Sequence, residues 1–87
     1  MTFAEYHAKH PQIWDLYQKF ALEAINAGAK KIGSKAIFER IRWEAYFTKN
    51  EGEKYKVNNI YTPHYARMFV AMYPQFADRI ELRATKD

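Results

Sequence analysis

Val57-Asn58-Asn59-Ile60-Tyr61-Thr62-Pro63-His64-Tyr65-Ala66-Arg67-Met68-Phe69-Val70-Ala71-Met72-Tyr73 joins a clear helix signal to an unusual set of polar side chains. Thr62 followed by Pro63 predicts a helix start. A threonine hydroxyl caps free amides, and proline at the first helical position lacks only an N–H that would be unpaired there. Pro74 biases Tyr73 away from helical dihedrals, so the helix is expected from Thr62 to Tyr73. Tyr65, Met68, Phe69 and Met72 recur at i, i+3, i+4 and i+7 and predict one apolar stripe. Tyr61, His64 and Arg67 follow one another a turn apart on a polar line with Ala71 next, and Asn58 and Asn59 precede the cap. A short helix with an apolar back, a donor-rich front and amide side chains before its start suits reading a polar surface such as a DNA groove. The competing reading is a core helix whose few polar groups face water.

Upstream, Thr2-Phe3-Ala4-Glu5 has the form of a capping box and predicts a short helix over 3–9. His10-Pro11 breaks it, and Pro11 is placed to open the next helix, expected to end at Ala27. Ile13, Leu16, Tyr17, Phe20, Ala24 and Ala27 predict the buried face of that second helix, flanked by Trp14, Ala21 and Ile25. Asp15, Lys19 and Glu23 alternate in sign at i, i+4, i+8 and mark a solvated face. Gly28 is a natural left-handed stop. Ala29-Lys30-Lys31-Ile32-Gly33 reads as a connector, and Ser34 as the cap of a third helix over 35–47. Ile37, Phe38, Ile41, Ala45 and Thr48 define its inner face; Lys35, Glu39, Arg42 and Tyr46 face outward.

Lys49-Asn50-Glu51-Gly52 reads as a polar turn. Glu53-Lys54-Tyr55-Lys56-Val57 and Arg79-Ile80-Glu81-Leu82-Arg83 alternate as short strands do, and the two are expected to pair across the Thr62 helix. Thr85-Lys86-Asp87 reads as a frayed end. The predicted fold is mainly α: one small helical domain, 1–87, with a short two-stranded β element, loosely like a helix-turn-helix or winged-helix protein. A tight helix-turn-helix and a full wing are both missing from the pattern.

Composition limits the functions open to the chain. With 87 residues it must pack densely to be stable, and 48% hydrophobic residues support a folded core. Seven tyrosines, six phenylalanines and two tryptophans make that core aromatic. There is no cysteine, so a reducing cytoplasm is the expected setting. No secretory signal pattern fits the first ten residues, and no run reaches the roughly 18–20 apolar residues of a membrane span. The net charge of +4 suits nucleic acid and argues against a DNA mimic.

Gly33-Ser34-Lys35-Ala36-Ile37-Phe38-Glu39-Arg40-Ile41-Arg42-Trp43-Glu44, with Asn58-Asn59, Tyr65-Ala66-Arg67-Met68-Phe69, the aromatic N-terminus and Glu81-Leu82-Arg83, resembles small proteins encoded by bacteriophages and prophages. The resemblance spans most of the chain. It implies a phage or prophage product acting in a bacterial cytoplasm, and carries no activity or catalytic residues with it.

The basic residues gather in two groups. Lys30, Lys31 and Lys35, joined by Arg42, surround the third helix start. Lys54 and Lys56 lead into Asn58 and Asn59, with Arg67 beyond. Lysine, arginine and free amides at helix starts hold phosphates, whereas asparagine pairs with adenine edges and arginine with guanine. These residues, together with Tyr61 and His64, form the expected contact set for double-stranded DNA. Asparagines before a helix also serve as turn formers, which is the plainer reading of that pair. His7 and His10 stand three apart near Glu5, but without cysteine or an H-E-x-x-H pattern they support no metal site. Glu39 and Glu44 are separated by two arginines and read as ion-pair partners. Arg40 is expected against a carboxylate near the inner face. No nucleophile–base spacing and no glycine-rich phosphate loop occur, so neither an enzyme nor a cofactor is expected. The alternative function is a protein-binding module that meets a host or phage protein, or a second copy of itself, through Tyr6, Trp14, Tyr17 and Tyr73.

Overall fold

A computed structural model describes residues 2–47 and 59–81, the side chains of 45–47 and 59 excepted. The expected strand at 53–57, Lys54, Lys56, Asn58 and the C-terminal end beyond Glu81 lie outside the described residues, as does Thr48.

Helix α1 (Phe3–Lys9) opens on the expected capping box. The Glu5 amide donates to the Thr2 hydroxyl (3.2 Å), and the Thr2 amide donates to the Glu5 carboxylate (2.8 Å). The Thr2 backbone bond holds the Glu5 carboxyl below its ordinary pKa, and the Thr2 hydroxyl adds to the effect. Pro11 is the first residue of helix α2 (Pro11–Asn26), and Gly28 follows it with φ +99°. That left-handed turn is open to glycine without strain and redirects the chain after a single turn of connector.

The buried face of α2 is rotated from the expected one. Ile13, Trp14, Tyr17, Phe20, Ala21 and Ile25 are buried, Leu16 and Ala24 are half-buried, and Ala27 is exposed. The flank of the apolar arc becomes its centre because α2 is covered by α1, α3 and α4 together. Asp15, Lys19 and Glu23 face solvent as expected.

Strand β1 (Ile32–Gly33) lies in the segment read as a connector, and leads directly into helix α3 (Ser34–Phe47). Ile37, Phe38 and Ile41 form the inner face of α3, while Lys35 and Glu39 face outward. Ser34 is the first helical residue, and its hydroxyl is buried 2.6 Å from that of Tyr17. The sequence assigned Ser34 to capping; its tertiary task is to satisfy a buried phenol. Arg40 lies 3.7 Å from Glu23 and 4.4 Å above the Phe20 ring, with about half its side chain in solvent. It packs against the carboxylate as expected, at the surface.

A 3-10 turn (Asn59–Tyr61) introduces helix α4 (Thr62–Met72). Tyr61 occupies the cap position without a side-chain cap bond, so Thr62 is the first helical residue and Pro63 the second. Tyr65, Ala66 and Phe69 are its buried line; Met68 is half-buried and Met72 is exposed. Ala66 replaces Met72 on the inner face. Pro74 opens a second 3-10 segment (Pro74–Arg79) that the sequence reading missed.

Strand β2 (Ile80–Glu81) then pairs with β1 in parallel, Ile32 opposite Ile80 and Gly33 opposite Glu81. β2 thus pairs with β1, and the partner expected at 53–57 lies outside the described residues. Both isoleucines are buried, and a parallel pair needs the long crossover that α3 and α4 supply. The pair is therefore not a hairpin wing. The mainly helical fold with one short two-stranded element stands; β2 falls within the strand expected at 79–83, and β1 comes from the segment read as a connector.

The core is an aromatic stack. Tyr65 and Tyr17, both fully buried, lie 6.2 Å apart between centroids, with Trp14, Phe38 and Phe69 around them. Burial pushes the Tyr17 phenol up to about 12, partly offset by the Ser34 hydrogen bond. Burial also raises Tyr65 to about 12, with a smaller contribution from Tyr6. A folded-state pKa above the unfolded one stabilises the fold below pH 10 and loses that contribution as pH rises towards 12. Alkaline titration followed at the tyrosinate absorbance band should therefore show unfolding in this window, with Tyr17 and Tyr65 ionising only as the far-UV helix signal collapses. Ionisation of every tyrosine with the helix signal intact would refute their burial.

Candidate nucleic-acid interface

The lysine group is brought together by β1 and the start of α3. Lys30, Lys31 and Lys35 are all exposed. Arg79 joins them across the strand pair, where its guanidinium donates to the Ala29 carbonyl (3.0 Å). From the sequence, Arg79 is expected only in a strand; its place beside Lys30 follows from a pairing between residues far apart in the chain. Asp78 and Glu81, both exposed, adjoin Arg79 in the chain and moderate the local positive excess. Arg42 lies elsewhere on α3, 3.0 Å from Glu39 in an i,i+3 ion pair. It is thus already engaged, while Lys30, Lys31 and Lys35 project from the turn and first helical turn.

The α4 group is divided by the fold. His64 and Arg67 are exposed one turn apart, and α4 carries no acidic residue. Tyr61 turns inward, 6% exposed, and stacks on Tyr6 at 4.4 Å and 24°. Burial removes it from the expected polar line, because the 3-10 turn aims its ring at α1 and away from the outer face of α4. Asn59 stands in that turn.

The histidines are placed by tertiary packing. His7 lies with its Nδ1 3.3 Å from the Tyr65 hydroxyl, and His10 packs on Tyr6 at 5.0 Å. No group of three or more metal-ligating side chains occurs among the described residues.

The aromatic surface expected for a protein partner is mostly core. Tyr6, Trp14 and Tyr17 are between 0 and 9% exposed. Tyr73 is half-buried and donates to Gln18 (2.9 Å), which ties the end of α4 to α2. Helices α1, α2 and α4 converge on these rings, so the correction is one of packing. Among the described residues, the large apolar side chains that face solvent are Trp43, Ile60 and Met72, on α3, the 3-10 turn and the end of α4.

The chain matches no protein-family model, no curated protein and no solved structure.

The candidate interface therefore rests on its own geometry. It consists of a lysine cluster at the strand pair and an exposed pair, His64 and Arg67, on α4. No helix among the described residues is long and apolar enough to cross a membrane.

Proposed function

We propose that this chain is a small DNA-binding protein, regulatory in role and of phage or prophage origin, working in a bacterial cytoplasm. The observation that carries the reading is the exposed Lys30, Lys31 and Lys35 cluster, with Arg79 beside it, around the start of α3. Lysines on a rigid turn at a helix start hold sugar–phosphate backbone, because each contact releases condensed counterions from the duplex. His64 and Arg67, exposed on a helix whose other side is locked by Tyr65, Ala66 and Phe69, are the side chains that would meet base edges or phosphates. The net charge of +4 favours the encounter in either orientation.

Fluorescence anisotropy of a labelled mixed-sequence duplex, repeated over a salt series, tests the proposal. The expected result is binding whose log K falls with log salt at a slope of several times −0.9, as for several phosphate contacts. No binding at low salt would overturn it.

A further inference from the structure

We infer that the outer face of His64 receives an unpaired nucleobase. The inference rests on the nucleic-acid reading above and specifies the form of the ligand. His64 is the last plane of a small ring stack. Phe3 lies 4.7 Å from it at 13°, and His7 lies 5.8 Å from Phe3 at 9°, so the three planes are nearly parallel. Tyr65 meets Phe3 edge-on at 5.0 Å, and Tyr61 closes on it at 5.9 Å, which fixes the central ring in its slot. Phe3 is half-buried, whereas His64 is exposed. One face of the imidazole is backed by Phe3, Tyr61 approaches it obliquely at 6.1 Å and 47°, and the residue as a whole is exposed to solvent.

A ring already held in plane loses little further freedom when a ligand stacks on it, so such a platform binds with small ordering loss. Imidazole is among the rings on which unpaired bases stack, and its edge nitrogens hydrogen-bond at the same time. The surroundings favour a polyanion. Helix α4 carries no acid, and Arg67 lies exposed one turn beyond His64. A pair inside a duplex is already stacked on both sides and a blunt end offers only the outer face of its last pair, so an unpaired base, with its faces and edges both open, is the better ligand.

The test compares two labelled probes by anisotropy at low salt: a blunt duplex, and the same duplex with a short single-stranded overhang carrying a fluorescent adenine analogue. The protein should prefer the overhang about tenfold, as one stacked base supplies, and should quench the analogue on binding. His64→Ala should bring the overhang affinity down to the blunt value, and His64→Phe should keep the preference. A far-UV melt checks that both variants remain folded, and the comparison of the two probes on the unsubstituted protein stands without them. Equal affinity for both probes, or a preference that survives His64→Ala, would overturn this inference alone. No binding of either probe would overturn the DNA reading with it.

Discussion

Tyr65→Ala is expected to lower stability by about 3–5 kcal/mol, which leaves little of the fold. Tyr65 is fully buried and its ring meets Phe3, His7, Trp14, Tyr17 and Phe38, which belong to α1, α2 and α3. Removing it takes away the ring that α4 contributes to three other helices and opens a cavity that none of them can collapse into unaided. A domain of this length has a total stability of roughly 4–13 kcal/mol, so the loss is comparable with the whole. Tyr65→Phe provides the control. It keeps the ring and removes only the hydroxyl beside His7, for about 1 kcal/mol. Urea denaturation of both variants checks the pair. Near-equal losses would show that the ring is not the keystone described.

The second large effect concerns binding and leaves the fold intact. Lys30→Ala, Lys31→Ala and Lys35→Ala combined should flatten the salt slope by about 2.7, the loss of three phosphate contacts. At low to moderate salt the same loss weakens affinity by two to three orders of magnitude on that counterion-release relation, roughly a hundredfold or more. All three side chains are exposed, so the thermal midpoint should move little. A triple variant with an unchanged slope would place the DNA surface elsewhere and leave this cluster as a solvated turn.

Local signals were legible from the sequence because their chemistry is short-range. The Thr2–Glu5 box, Pro11 at the head of α2 and Gly28 after it each act within one turn, and each is found where the residues place it. The inner faces were less legible. Helical period defines an apolar arc, but several residues on α2 are nearly equivalent along it, and the choice between Ala21 and Ala27 depends on where α1, α3 and α4 press. Likewise, Tyr6, Trp14 and Tyr17 have the chemistry of either an interface or a core, and only the convergence of α1, α2 and α4 assigned them to the core.

For the candidate site, the sequence alone determined which side chains are basic, that Lys30, Lys31 and Lys35 cluster around the start of α3, and that α4 carries no acid among its polar groups. Tertiary structure decided the rest. It turned Tyr61 inward onto Tyr6, set His64 on Phe3, and paired Ile80 with Ile32 so that Arg79 reaches the lysine turn. The division has a physical reason. Charge, capping and backbone freedom are properties of a residue and its nearest neighbours, whereas strand pairing and ring stacking depend on distant segments that meet only once the core has formed.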